Sequence, residues 1–533
     1  MKKQDFIGTK SLVKLALRRD RIRIPAWVLA IGLYSALVIV AYAEFSAKEM
    51  QELITMASIS QGMRMLVSPI ASDQVGQLGS FFLFRTSFLL SIIVSMMNIQ
   101  LVTRHTRHNE ESGCAEMISS TVAGRYASLA ASLITAFIAN LTLFALFVLG
   151  FIASGLPLEG SIAAAASFAL IGMVFACVAA VTSQLSESSR GASGLASITF
   201  ALAFFINAIG NVMGTVHEQS MGFSSSWIAW LSPVGWINQT QAFDQNRFAV
   251  LLLFAGLMLI LFPAAVWLSK RRDIGRGILP AKRGPARASR FLTSAPGLAW
   301  RLQRKTLLSW MVIMLLIGIT FGAVSQEYGA SIEQIDVFQQ FLLSADYFIF
   351  SMIAIVSSVL SLFTLQSLLR MRSEEAEGPL ETFLSTPVRR FTWMLSFIGF
   401  SLLGTLVLLI TFASGAGLAA QSSASETVEF IKASLYHGSA ILVIAGLVIT
   451  MFGLVPKIAR GFSWILVMIA VLIGPVLGPM LNLPESIHNL SPFTHIALQP
   501  DQTSTAALVI LTGIGLLLTL TGLAAFSRRS LKL

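Results

Sequence analysis

Charged residues are scarce in this chain. Only 12% of its 533 residues are Asp, Glu, Lys or Arg, whereas 55% are hydrophobic. Soluble domains carry about 25% charged residues. A soluble protein of this size can keep the usual share of charged residues, whereas a chain that spans a lipid bilayer must keep charged residues out of its spanning segments. The composition therefore argues against a soluble protein and directs attention to the long apolar runs.

Twelve runs lack all four charged residue types and are long enough to cross a bilayer, which takes about 20 apolar residues. Because lipid offers the backbone no hydrogen-bond partner, these runs must be helices. They do not alternate as barrel strands would. The sequence thus predicts an all-α integral membrane protein with about twelve transmembrane helices. The runs lie within 24–43, 86–103, 126–158, 160–186, 191–216, 248–269, 306–326, 347–369, 391–425, 433–456, 461–484 and 502–527.

Two further shortages concern chemistry. The chain has no Gly-Lys pair, and the phosphate-binding loop G-x-x-x-x-G-K-[ST] requires one. If ATP is used, another chain must therefore hydrolyse it. The only cysteines are Cys114, in a predicted loop, and Cys177, inside a run, so a disulfide between them is not expected.

Basic residues set the predicted topology, because they favour the cytoplasmic side. With the N-terminus inside and twelve spans, both termini are cytoplasmic. The uncharged stretch 219–243 is then an interfacial or re-entrant element of the outer face, since a thirteenth span would place the basic segment 270–305 outside. The net charge of +11 meets anionic membrane lipid and does not imply nucleic acid. All 37 Lys and Arg lie inside except Lys48, Arg64, Arg85, Arg247 and Lys432.

The chain contains an internal repeat. Segments 107–126 and 372–391 align without a gap at an offset of 265 (372 − 107), each after the second span of its half. An even number of spans per half makes the repeat parallel. The predicted divisions are 1–269, a basic linker 270–305, and 306–533. The identical pairs are Arg107/Arg372, Glu110/Glu375, Gly113/Gly378, Glu116/Glu381, Ser120/Ser385, Thr121/Thr386 and Arg125/Arg390.

Weaker echoes keep the same order in both halves. They are Arg190-Gly191 with Arg460-Gly461, Leu231-Ser232-Pro233 with Leu490-Ser491-Pro492, and Trp27 with Trp310. Segments 9–24 and 287–309 mix basic and apolar residues before each half's first span. They are read either as amphipathic helices in the inner interface or as ordinary basic flanks.

The repeated loop is acidic where a loop that only sets topology would be basic. One interpretation is a docking surface for a partner protein, and the other is a solvated loop with helix-capping acids. Retention of the pattern in both halves favours docking. The first half departs from the second, with Asn109 and Ser112 opposite Glu374 and Glu377, and with Gly124 opposite Arg389.

Taken together, these features resemble the permeases of type-two ABC exporters, and the fused double arrangement is similar to bacterial polyketide-antibiotic (tetronasin-type) exporter permeases. The resemblance implies a plasma-membrane permease that exports a hydrophobic antibiotic, drug or lipid-like compound. Two copies of a separate ATPase would bind ATP and Mg and seat on two coupling helices. The implied coupling residues are Arg107, Glu110, Glu111, Gly113, Glu116, Arg372, Glu374, Glu375, Glu377, Gly378 and Glu381.

The resemblance also implies a substrate path between spans two and five of the first half and spans eight and eleven of the second. Aromatic rings and methionines there would suit large apolar cargo. Lipid-facing or interhelical packing is the alternative for each of these residues, and interhelical hydrogen bonding for the asparagines. The candidates are Phe84, Met97, Phe204, Phe205, Asn207 and Asn211.

Two other classes of protein compete. A proton-coupled transporter of the major facilitator type also has six plus six spans, but such proteins usually carry titratable residues within spans, and the twelve runs contain no Asp, Glu, Lys or Arg. A membrane enzyme would need clustered His, Cys or carboxylates. His105 and His108 share a loop with Glu110 and Glu111, yet the matching loop has no His, so no metal or catalytic site is predicted.

Overall fold

The computed structural model describes residues 3–59, 61–70, 77–217, 222–279, 287, 292, 294–331, 345–376, 378–471, 473–474 and 485–529. The chain divides into two compact units, Met1–Gly284 and Pro285–Leu533. Each unit consists of helices with short connections.

In the first unit, the long apolar helices are named span one to span six in chain order. They are Arg23–Ala43, Leu78–His105, Ala127–Ala153, Leu158–Leu185, Ser189–Val212 and Leu251–Lys270. The other elements are the helices Thr9–Arg19, Ala47–Ile59, Gln61–Arg64, Arg107–Glu111, Cys114–Ser119 and Pro233–Gln239, the 3-10 turns Lys3–Phe6, Trp227–Leu231 and Phe248–Val250, and the paired strands Thr215–Val216 and Phe223–Ser224.

In the second unit, spans seven to ten are Ala295–Ser331, Ala345–Leu368, Arg390–Ala419 and Ala424–Leu454, and span twelve is Thr505–Arg528. The helix Pro456–Val471 occupies the start of the eleventh predicted run, whose residues 472 and 475–484 lie outside the described residues. The shorter elements are Arg370–Ala376, Pro379–Leu384, Glu485–His488, Pro492–His495 and Pro500–Gln502.

Among the described residues, 11 helices are long and apolar enough to cross a membrane. They coincide with eleven of the twelve predicted runs, and the run without a match is the eleventh, 461–484. The prediction of an all-α integral membrane protein is confirmed. The predicted re-entrant element contains no helix of spanning length in its described part. It forms the short hairpin and turn and the seven-residue helix Pro233–Gln239 instead.

The same helices are the most buried in both units, namely the second and the fourth of each half. In the first unit, spans two and four are the most buried, and spans one, five and six are largely exposed. In the second unit, spans eight and ten are the most buried, and spans seven and twelve are exposed. Exposed apolar helix faces suit contact with lipid chains. Each half therefore builds its core around its second and fourth helices.

Small and polar residues make this close packing possible. Span four has the run Ala163, Ala164 and Ala165, all buried. Asn98 of span two and Asn140 of span three donate to one another's side-chain oxygens, at 3.1 and 2.6 Å. Small residues let helix backbones approach, and amide pairs satisfy polar groups that lipid cannot. The asparagine pair therefore forms an interhelical hydrogen bond between spans two and three.

The two predicted amphipathic segments differ in structure. In the first half, Thr9–Arg19 is a separate helix, and the chain turns at residues 20–22 before span one. In the second half, the segment from Ala295 is continuous with span seven. In the first half, Asp20 follows the helix Thr9–Arg19, and its side chain lies 2.6 Å from that of His105. In the second half, Gln303 lies within the continuous helix and accepts a hydrogen bond from Ser367 at 2.5 Å.

The repeated Leu-Ser-Pro sequence has the same structural role in both units. Ser232 Oγ donates to the Ala203 carbonyl at 2.6 Å and accepts from the Val234 amide at 3.1 Å. Ser491 Oγ donates to the Ala470 carbonyl at 2.7 Å and accepts from the Phe493 amide at 3.4 Å. Each serine therefore caps a short helix and ties it to the preceding long helix.

Replacing Ser232 with alanine is expected to lower the free energy of unfolding by about 2 kcal/mol. The change removes a helix cap, which contributes about 1 kcal/mol, and a buried hydrogen bond to the Ala203 carbonyl, which contributes about another 1 kcal/mol. Thermal unfolding of the purified chain in detergent measures the loss. Ser396→Ala is the matched control, because the Ser396 hydroxyl is exposed and bonds within its own helix to Thr392. An equal effect of both substitutions would contradict the assignment.

Candidate functional site

The repeated loop forms the same structure in both halves. A short helix begins after a glycine in the left-handed backbone region, Gly113 with φ 74° and Gly378 with φ 94°. That conformation favours glycine over any residue with a side chain. The helices that follow are Cys114–Ser119 and Pro379–Leu384, and we call them the loop helices. Glu116 and Glu381 lie in their first turns and are exposed.

In the first half, an ion-pair network lies behind the loop helix. Glu110 accepts two bonds from the guanidinium of Arg272, at 2.5 and 2.7 Å, and pairs with Arg107 on its other side. Arg107 is fully buried and donates through Nε to the Ser186 carbonyl at 2.6 Å. Arg272 also donates to Gln184 at 2.7 Å. The network therefore fastens the loop to the ends of spans four and six.

The second half repeats this arrangement. Glu375 pairs with Arg529, the residue that follows span twelve, and lies 3.4 Å from Arg372. Arg529 also donates to the Phe452 carbonyl of span ten at 2.8 Å. The Arg-Glu-Arg order of the first network is thus kept, with the second arginine again supplied by the residues that follow the half's sixth helix. We call these two clusters the loop networks.

A second repeated arginine supports the same junction. Arg125 donates to the carbonyls of Ser269, Lys270 and Arg272, at 3.1 to 3.3 Å. Arg390 donates to the Arg529 carbonyl at 2.9 Å. Carbonyls at a helix C-terminus have no partner within the helix and carry partial negative charge. The need to pair these carbonyls therefore explains why both halves have an arginine at this position of the repeat.

The other predicted coupling residues are distributed differently. Glu111 accepts from the Ser189 amide and hydroxyl at 2.9 and 2.5 Å, which joins the loop to the start of span five. Glu374 is buried and pairs with Arg370 at 2.6 Å. At the matching position, Asn109 accepts from Arg19 of the helix Thr9–Arg19 at 2.6 Å. Glu377 lies outside the described residues. The coupling role of all these residues stays a prediction.

The geometry separates two groups among the predicted coupling residues. Arg107, Glu110, Arg372 and Glu375 are turned into the protein, whereas Glu116 and Glu381 are turned outwards. Sequence reasoning missed the partners Arg272 and Arg529, although each belongs to a basic cluster directly after the last helix of its half. From the sequence alone, a basic residue at that place indicates only the topology.

Two clefts flank the loop helix of the first half. One, of about 620 Å³, lies between it and the helix Thr9–Arg19, and is lined by Leu15, Met117 and Ile118. The other, of about 530 Å³, lies towards the end of span six and is lined by Glu110 and Arg272. The loop helix therefore stands as a ridge between two grooves, with Met117 67% exposed beside the outward carboxylate.

The predicted substrate-path residues do not form one pocket in the first unit. Phe84 is buried against Phe81, with ring centroids 6.4 Å apart. Phe204 stacks on Phe88 at 4.3 Å, and Phe205 is 49% exposed. Met97 lines a separate cavity of about 470 Å³ at the loop end of spans one, two and five.

The two asparagines of span five have internal partners. Asn211 donates to the Arg64 and Val67 carbonyls at 3.2 and 3.0 Å and accepts from Ser225 at 2.7 Å. Asn207 accepts from Asn238 at 3.2 Å. Both therefore anchor the segments that follow spans one and five, while their contact with substrate stays a prediction.

Comparison with known proteins adds to this geometry. The family described as "Multidrug efflux system permease Rv1217c, C-terminal domain" matches residues 292–527. Over 557 residues, the chain is 32% identical to the "Multidrug efflux system permease protein Rv1217c" of Mycobacterium tuberculosis strain H37Rv, covering 99% of this chain and 96% of the relative. The chain belongs to the multidrug efflux system permeases.

Membership confirms part of what the sequence predicted. The chain is a multi-pass membrane permease of an efflux system, so the predictions of a transport protein and an exporter are confirmed. The match supports efflux permeases generally and does not reach the tetronasin-type exporters specifically.

Proposed function

We propose that this permease is the membrane-spanning subunit of an ATP-driven ABC exporter, and that two copies of a separate ATPase subunit dock on the two loop helices. The observation that carries the proposal is the repetition of one outward surface. Each surface consists of a left-handed glycine, a six-residue helix and an exposed glutamate in its first turn.

The loop networks give this surface a mechanical function. A partner that pulls on a loop helix acts through Glu110 or Glu375 on the ends of the half's fourth and sixth helices. Charge-assisted, bidentate arginine–carboxylate bonds are the strong and directional members of their class. Movement of an ATPase at the loop would thereby reach the transmembrane helices without a flexible link.

The exported compound is proposed to be hydrophobic: an antibiotic, a drug or a lipid-like molecule, with polyketide antibiotics as one class to screen. This is supported by the similarity to the mycobacterial relative, a multidrug efflux system permease. ATP and Mg would bind to the ATPase, at the plasma membrane, with both termini of the permease in the cytoplasm.

The test is ATPase activity of the purified chain alone and with the ATPase encoded beside it. We expect no hydrolysis from the chain alone and a stable complex with two ATPase copies. Glu116→Arg with Glu381→Arg should abolish assembly or stimulated hydrolysis, because each reversal places a cation where the partner meets a carboxylate. The matched control is Glu44→Arg with Glu159→Arg, two exposed carboxylates away from the loops.

A complex that survives the loop double variant would contradict docking at the loop helices. Failure of any ATPase to associate, with transport abolished by collapse of the proton gradient, would replace the proposal with a proton-coupled secondary transporter.

A further inference from the structure

A cavity of about 470 Å³ in the first unit has a cationic mouth. It is bordered by Arg23 of span one, Arg104 of span two and Arg190 of span five. Asp20 is the one carboxylate among its lining residues in the described chain, and it lies 3.1 Å from Arg104. Three arginines and one aspartate thus give the lining a surplus of two positive charges.

Two of these arginines have no ion-pair partner among the described residues. Arg23 and Arg190 are exposed, and neither forms an ion pair with any described residue. Guanidinium groups present a planar fork of donors that matches carboxylate and phosphate oxygens. The mouth is therefore suited to an anion that supplies two or more acceptor oxygens.

The deeper lining of the cavity is apolar apart from Gln100, Thr103 and Ser193. From Arg104 the lining continues along span two to Leu101 and Met97, seven residues and about 10 Å deeper. Along span one it continues from Arg23 to Ile24 and Trp27. The charged groups thus stand at the helix ends and the apolar groups deeper in the spanning region, as in an amphiphile held parallel to the helices.

At the matching described positions, the second half does not repeat this cation cluster. By the repeat offset of 265, Leu369 stands opposite Arg104. By the offset that pairs Trp27 with Trp310 (283), Thr306 stands opposite Arg23. Arg460 matches Arg190, but its guanidinium donates to Ser373 at 3.0 Å. A positive-inside requirement common to both halves does not account for a cluster in one half.

We propose that this cavity binds an anionic amphiphile, with its phosphate or carboxylate head group between Arg23, Arg104 and Arg190 and its hydrocarbon chain against Trp27 and Met97. Its volume falls in the range of about 300–1,000 Å³ found for small-molecule sites, so it holds a head group with the upper part of a chain. The proposal concerns binding alone and does not depend on the energy source of transport.

The test uses the full chain purified in detergent. Native mass spectrometry compares retention of phosphatidylglycerol and phosphatidylcholine, which differ in head-group charge. We expect preferential retention of phosphatidylglycerol, and Arg23→Gln with Arg190→Gln should weaken it about tenfold, since two of the three guanidinium groups that would meet the head group are lost. Arg21→Gln with Arg389→Gln removes the same charge at exposed positions that do not line the cavity and should leave retention unchanged.

A second measurement needs no substitution at the arginines. Phosphatidylglycerol brominated near the head group should quench Trp27 fluorescence, seen as the difference between the wild type and Trp27→Phe, and brominated phosphatidylcholine should not. Competition with inorganic phosphate shows whether the site binds a lipid head group or a free phosphate ion. Displacement of the lipid by millimolar phosphate would overturn the amphiphile assignment, and equal binding of both lipids would overturn the anion assignment.

Discussion

Replacing Gly522 with valine is expected to lower the unfolding temperature of the purified chain by about 6–12 °C. Spans ten and twelve are in backbone contact, and a Cβ at position 522 would lie 2.6 Å from the Ile449 carbonyl carbon and 2.7 Å from the Thr450 amide nitrogen. Overpacking of this kind costs about 3 kcal/mol, and for a unit of this size each kcal/mol shifts the transition by about 2–4 °C.

The reason lies in two pairs of glycines spaced seven residues, or two turns, apart. Gly446 faces the Gly515 carbonyl, and Gly453 faces the Gly522 carbonyl. The Thr450 hydroxyl donates across the interface to the Leu518 carbonyl at 2.7 Å. In lipid, helix association depends on such close contact because apolar burial gives little drive between helices.

Span twelve supplies its own control for this prediction. Gly513 is exposed, and a Cβ built there meets no described atom within 4 Å. Gly513→Val should therefore leave thermal unfolding nearly unchanged, while it carries the same change in helix propensity. Equal destabilisation by the two substitutions would contradict the backbone-contact explanation.

The sequence predicted the existence of the spanning helices well, because about twenty uncharged residues without strand-like alternation can satisfy their backbone hydrogen bonds in lipid only as a helix. It could not say which helices pair. The glycines of spans ten and twelve lie among many others, and only the structure shows which of them face a neighbouring backbone. The same limit applies to Phe84 and Phe204, whose aromatic rings suggested cargo contact and pack against Phe81 and Phe88.

The repeat predicted the loop more fully than any single motif did. Identity across the halves singled out Arg107, Glu110, Gly113, Glu116 and Arg125 together, but it could not sort them by direction. Gly113 requires a left-handed backbone, Arg125 caps the end of span six, and Arg107 with Glu110 is internal. Arg272, whose guanidinium binds Glu110 and whose carbonyl accepts from Arg125, lies outside the aligned segment, so the alignment gave no sign of it.

Replacing Glu110 with glutamine is expected to lower the free energy of unfolding by about 3 kcal/mol. Glutamine keeps the shape of the side chain but leaves Arg107 and Arg272 facing each other without a counter-charge. Arg107 is fully buried, and the Arg272 and Glu110 side chains are 8% and 13% exposed, so solvent screens the repulsion little. Removing one member of a buried ion pair costs about 3–5 kcal/mol. Thermal unfolding in detergent measures the effect, and Glu375→Gln should reproduce it through Arg372 and Arg529.

A double-mutant cycle identifies the cause. Arg272→Gln combined with Glu110→Gln should cost less than the sum of the two single changes, because contacting charges couple. Glu116→Gln, on the exposed face of the loop helix, is the control and should leave unfolding unchanged. Loss of stability at Glu110 without loss at Glu116, together with loss of ATPase assembly in the Glu116→Arg and Glu381→Arg variant, would separate the internal network from the docking surface. Strict additivity in the cycle would contradict the network as the link between the loop and the ends of spans four and six.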